Sequence, residues 1–156
     1  MGQCKINMDG GVAKTANRGA AAAVCRSADG VYLGASAVVI DGLTHPGSLE
    51  AIACREALAL AADLHERTTM IASDCMEVIQ GLQQENLGLF SSVLREINID
   101  TMSRGGLSFR HEGQDSNKEA HSLARTATSL SPGRHVWLSN PPEGLNFPAT
   151  IVTPRI

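Results

Sequence analysis

The first forty residues hold three strand-like runs joined by turn signals, and no other feature restricts the fold as much. Cys4 to Asp9 alternates, with Ile6 and Met8 on one face and Asn7 and Asp9 on the other. That is the period of a strand. Gly10 to Arg18 reads as a polar turn, Gly19 to Cys25 as a small apolar strand, and Val31 to Ile40 as a strand rich in Val, Ala and Ile. Between the last two stands Ser27-Ala28-Asp29-Gly30, whose Asp-Gly pair is a hairpin signal. Runs joined this tightly are antiparallel neighbours.

After them the pattern changes to helix and strand in alternation. Asp41 to Gly47 is a loop containing Pro46, and Ser48 is placed to cap a helix from Leu49 to Leu64. Leu49, Ile52, Ala53, Leu60 and Leu64 form its apolar stripe. The row Glu50, Cys54, Ala57, Ala61 is small and apolar after its first member, which suits a face packed closely on a sheet. A strand from Thr69 to Ser73 and a helix from Met76 to Leu82 follow. Asn86-Leu87-Gly88 breaks the chain, and Phe90 to Met102 is helical in pattern, with Val93, Leu94 and Ile97 inward. Gly105-Gly106 is a turn before a strand, Leu107 to His111. Ser116-Asn117-Lys118-Glu119 is a capping-box pattern that opens a last helix through Leu130. Beyond Ser131 the chain is rich in proline and has no periodicity. The expectation is an α/β domain over residues 3–131 and an irregular tail over 132–156.

Three acidic residues then stand out, each where an apolar element meets a turn or a helix: Asp9, Glu50 and Asp74. Carboxylates at the ends of buried elements are costly unless a positive charge lies between them. A divalent metal supplies one, which points to a metal-dependent enzyme acting on phosphate esters. Each residue also has a plainer explanation. Asp9 before Gly10-Gly11 suits a turn, Asp74 suits an N-cap, and Glu50 suits the positive end of a helix dipole. The net charge of −3 excludes coating nucleic acid by bulk charge, and 3% aromatics excludes a base-stacking platform. Cys4, Cys25, Cys54 and Cys75 form no metal-binding spacing and read as buried thiols of a reducing, intracellular compartment, nucleus or cytoplasm. No signal-peptide pattern opens the chain, and no apolar run is long enough to span a bilayer.

The order of elements, with acids at these three places, resembles the ribonuclease H family. The matching residues are Ile6-Asn7-Met8-Asp9-Gly10, Leu49 to Leu58, Ile71-Ala72-Ser73-Asp74, and His111-Glu112-Gly113 followed by Asn117 to Ala124. The pattern is most similar to the ribonuclease H-like modules of plant retroelement reverse transcriptases, over roughly residues 3 to 130. The resemblance implies a mixed five-stranded sheet flanked by helices, its first three strands antiparallel. It implies cleavage of the RNA strand of RNA–DNA hybrids with two Mg²⁺ or Mn²⁺ ions about 4 Å apart. By resemblance Asp9 bridges both ions, Glu50 and Asp74 complete the site of one, and His111 matches a mobile histidine near the leaving group.

One position departs from the family. Active members carry a fourth Asp one turn after an Asn, and here Asn117 is followed by His121. Imidazole binds Mn²⁺ but is a poor Mg²⁺ ligand. Pro46-Gly47 also replaces a polar pair before the first helix, and Gln83 to Arg104 has no lysine with which to form a basic protrusion. Gly10, Gly11, Lys14, Asn17 and Asn117 are candidate nucleic-acid contacts, with a solvated loop as the alternative for Lys14 and Asn17. The departure at His121 opens a second reading from another class: a non-catalytic nucleic-acid-binding or protein-interaction module with a relict fold.

Overall fold

Three ten-residue strands open the chain in a computed structural model that describes residues 3–66, 68–83 and 107–151. They are β1 (Cys4–Ala13), β2 (Arg18–Ser27) and β3 (Tyr32–Asp41), paired antiparallel in that order. β1 runs four residues past Asp9, because Gly10 and Gly11 pair with Ala21 and Ala20 instead of turning. Asp9 therefore lies within a strand, and the turn is the tight one ending at Asn17, whose φ of 51° is left-handed. The second hairpin turns at Gly30, as expected from Asp29-Gly30, with φ +85°.

The helix α1 (Pro46–Asp63) begins earlier than its pattern suggested. His45 caps it by accepting the Ser48 backbone N–H on Nδ1 at 3.1 Å, so Ser48 is a first-turn residue and not the cap. Pro46 then occupies a position where its missing N–H costs nothing. β4 (Thr69–Ser73) and α2 (Met76–Gln83) follow, then β5 (Leu107–His111) and α3 (Lys118–Ala127). A 3₁₀ turn over Gln114–Ser116 precedes α3, so the expected capping box does not form. The helix expected over Phe90–Met102, the break at Asn86-Leu87-Gly88 and the turn at Gly105-Gly106 lie outside the described residues.

The sheet order is β5-β4-β1-β2-β3-β6, with β1–β4 and β4–β5 parallel and the other pairs antiparallel. It has one strand more than expected. β6 (Gly133–Trp137) comes from the segment expected to be irregular, and pairs with Ala35 to Val39 of β3. Short strands at a sheet edge need no long alternating pattern, since one of their sides is solvated. The pairing is reinforced by Arg134, which donates to the buried Glu56 at 3.0 Å and to Asp63 at 2.8 Å. Trp137 accepts the Tyr32 hydroxyl on its backbone oxygen at 2.7 Å and stacks on His135.

Helices cover both faces. Ala21, Ala23 and Cys25 of β2 pack under α1, while Ala20, Ala22 and Val24 pack under α3. This is why the strand is a run of alanines: it is sandwiched, and small side chains bring both helices close. Gly11 lets α3 come close to β1, since a Cβ there would lie 3.1 Å from the Ala124 backbone carbon. All four cysteines are free, and Cys4, Cys25 and Cys54 are buried. Among the described residues no helix is long and apolar enough to cross a membrane.

Candidate active site

The parallel pairing of β1 with β4 does most to assemble the site. Its register sets Asn7 opposite Ala72, so two residues further on Asp9 comes level with Asp74, just past the end of β4. α1 brings Glu50 in from the start of its second turn, where the Gly10 backbone N–H donates to Glu50 Oε1 at 3.2 Å. Gly10 makes room for this, because a Cβ there would sit 3.0 Å from Leu49 Cβ. α3 presents His121, whose Nδ1 donates to Asp9 Oδ2 at 2.8 Å. His111 ends β5 beside Ser73, and its Nε2 lies 3.2 Å from the Asp74 backbone oxygen. Asp9, Glu50, Asp74, His111 and His121 thus arrive at one place from five elements.

The electrostatics are those of crowded anions. Burial is the main cause that pushes Glu50 up to about 8, and the neighbouring Asp9 charge adds to it. Burial likewise holds Asp9 above the usual carboxylate range, against the hydrogen bond from His121 and with help from the Asp74 charge. Among the described residues Glu50 Oε2 is buried and makes no hydrogen bond of good geometry, while the Glu50 carboxyl lies against that of Asp9. An unsatisfied buried oxygen on a carboxylate is expensive, and natural folds keep few of them.

A profile of the reverse transcriptase-like family matches residues 7–127, a span that holds every one of these side chains. The chain belongs to that family. Its fold is that of ribonuclease H. Ribonuclease H1 from the halophilic archaeon Halobacterium salinarum superposes with a TM-score of 0.65 at 22% identity, over 82% of this chain and 98% of that one. LC11-RNase H1, isolated from compost by a metagenomic approach, gives 0.70 at 20% identity, over 84% and 100%. The N-terminal RNase H domain of a Mycobacterium tuberculosis protein gives 0.65 at 18%, over 83% and 95%. No curated protein sequence matches significantly.

The donor set of this ribonuclease H-type module suits a hard dication on one side only. Three carboxylates, two of them raised in proton affinity, and an orphaned Glu50 Oε2 are an environment that a Mg²⁺ or Mn²⁺ ion would neutralise. On the other side the imidazole of His121 already holds Asp9 Oδ2. Among the described residues, no three His, Cys, Asp or Glu side chains are drawn close enough together to ligate a metal as they stand.

The candidate nucleic-acid contacts are scattered. Lys14 and Asn17 stand exposed at the β1–β2 turn, with Lys14 about 16 Å of strand beyond Asp9. The Asn17 backbone oxygen accepts from the Gly42 N–H at 2.7 Å. Gly10 and Gly11 face α1 and α3, so their Cα atoms serve packing. Asn117 is 1% exposed. Its Nδ2 donates to the Met8 backbone oxygen and its Oδ1 accepts from Asn7, both at 3.1 Å, which ties the head of α3 to β1.

Sequence reasoning did not single out Glu112. It accepts from Lys5 Nζ at 2.9 Å and from Asn7 Nδ2 at 3.1 Å. Burial would raise its carboxyl, but these hydrogen bonds and the Lys5 charge outweigh it and hold the group below its ordinary value. Lys5 and Glu112 are far apart in sequence, and only the β5-β4-β1 order brings them together.

Proposed function

We propose that the chain is a divalent-cation-dependent endonuclease that hydrolyses the RNA strand of RNA–DNA hybrids, through a site altered at His121. The observation that carries this reading is the convergence of Asp9, Glu50 and Asp74 from three elements, with one buried carboxylate oxygen left unpartnered. LC11-RNase H1, which shares this fold, has been solved in complex with an RNA/DNA hybrid. Asp9, Glu50 and Asp74 would hold Mg²⁺ or Mn²⁺, and His121 stands where a ligand of a second ion would be expected. When bound, such ions polarise the scissile phosphate and lower the pKa of an attacking water.

The chain's own residues divide the remaining work. Gly10 N–H fixes Glu50 Oε1, leaving Oε2, beside the Asp9 carboxyl, as the atom that would reach an ion. Asn117 holds β1 and α3 in register, so that Asp9 and His121 meet. His111 is exposed next to Asp74, in a position to exchange a proton with the leaving oxygen and not to build the site. The test is cleavage of a labelled RNA–DNA hybrid in Mg²⁺ and in Mn²⁺, with Asp9→Asn as control. Loss of cleavage in Asp9→Asn is expected; equal cleavage by both proteins would sink the reading.

The Asp9–His121 hydrogen bond also favours a second reading, a hybrid-binding module without catalysis. Tight hybrid binding by wild type, with no cleavage in either metal, would select it.

A further inference from the structure

We propose that a cleft at the foot of β1 seats a phosphate of the bound strand beyond the one that the carboxylate cluster addresses. The proposal rests on the nucleic-acid reading above and adds a second anchoring point to it.

Lys5, Asn7 and Asp9 alternate onto one face of β1, at about 6.6 Å per pair of residues. Asp9 belongs to the carboxylate cluster. Asn7 and Lys5 line a half-open cleft of about 500 Å³ between β1, β2, β4, β5 and the head of α3. The cleft therefore begins at Asn7, about 6.6 Å along β1 from Asp9, and reaches Lys5 at about 13 Å from it.

Its charges are unevenly used. Lys5, Arg26, Arg110 and Lys118 line it, against Glu112, Asp115 and Glu119. Lys5 is held by Glu112 at 2.9 Å, and Arg26 by Glu119 at 2.6 Å. Arg110 and Lys118 are exposed and make no hydrogen bond or ion pair among the described residues, while the Arg110 charge acts on Glu112 at longer range. The lining is left one positive charge ahead in a chain whose net charge is −3. The two cations outside ion pairs come from different elements, the end of β5 and the first residue of α3, and open onto the same cleft. A phosphate is the anion that fits: small, doubly hydrogen-bonding towards a guanidinium, and repeated along a strand whose neighbouring phosphate the carboxylate cluster addresses.

The experiment measures binding and not turnover. Fluorescence anisotropy of a hybrid in Mg²⁺ compares Asp9→Asn, which should not cleave, with Asp9→Asn carrying Arg110→Glu and Lys118→Glu. Both exposed positions tolerate polar substitution, and thermal melting checks that the fold holds; Arg110→Gln with Lys118→Gln is the milder pair. The expected result is at least tenfold weaker binding, with a slope of log K against log salt shallower by about 1 to 2. An unchanged affinity and slope, with the parent still binding hybrid, overturns the cleft and leaves the nucleic-acid reading intact. A parent that binds no hybrid at any salt overturns both. A nucleoside triphosphate serves as the second arm. If it binds through Arg110 and Lys118 while hybrid affinity is unmoved, the cleft is a nucleotide site and the strand seat is wrong.

Discussion

At Glu50 a single carboxyl makes stability depend on pH. Its value in the folded chain, about 8, lies above the ordinary 4.5. The folded state therefore binds more protons than the unfolded state between those values, and stability falls as pH rises through that window. The contribution is complete below pH 4.5 and lost by about pH 8. Glu50→Gln should flatten this dependence and raise the melting temperature at pH 8 by a few degrees, about 2–4 °C for each kcal/mol. A melt of both metal-free proteins at pH 5 and pH 8 checks it. At His121 the expected sign is reversed. His121→Asp places a fourth carboxylate against Asp9, so in chelator the variant should melt below wild type. With Mg²⁺ it should gain more stability than wild type gains, and bind the ion more tightly by calorimetry. Equal Mg²⁺ affinity in the two proteins would mean that His121 does not stand at a ligand position.

Between elements the site depends on two close approaches, and these were the parts least visible beforehand. Asp9, Glu50 and Asp74 could be picked out as candidates because each stands beside a recognisable apolar run. The register that brings Asp9 level with Asp74 could not be read, since parallel partners leave no local signal. The glycines at 10 and 11 looked like a turn because glycine usually marks one, whereas here they let α1 and α3 lean on β1. Gly11→Ala would press a methyl to 3.1 Å from the Ala124 backbone, which cannot retreat as a side chain tip could. A loss of about 1–3 kcal/mol is expected, measured by urea unfolding. The same variant should weaken the Asp9–His121 contact, since α3 carries His121 and must move outward. Asn117 was singled out as a ligand contact from its place in the motif, yet its burial gives the side chain to the backbone of β1. Sequence spacing placed it on the right helix without showing which way the amide points.

Across the whole molecule, the sheet is finished by a segment that carries no periodic signal. β6 was invisible because five residues at a solvated edge need only backbone pairing and one anchored arginine. Arg134→Ala would take from the buried Glu56 the guanidinium that neutralises it and leave the hydrogen bond from Ser36. The expected loss is about 1–3 kcal/mol, seen as a lower urea midpoint. The chain has one tryptophan, Trp137, and it stands on this last strand, half-buried against the edge of the alanine-rich cluster under α3. Its fluorescence is therefore a local reporter: it signals the docking of the final strand, while circular dichroism reads the helices. If β6 peels off first, the emission change will precede the ellipticity change during denaturation. A stability quoted from intrinsic fluorescence alone would then describe the edge of the sheet, not the domain.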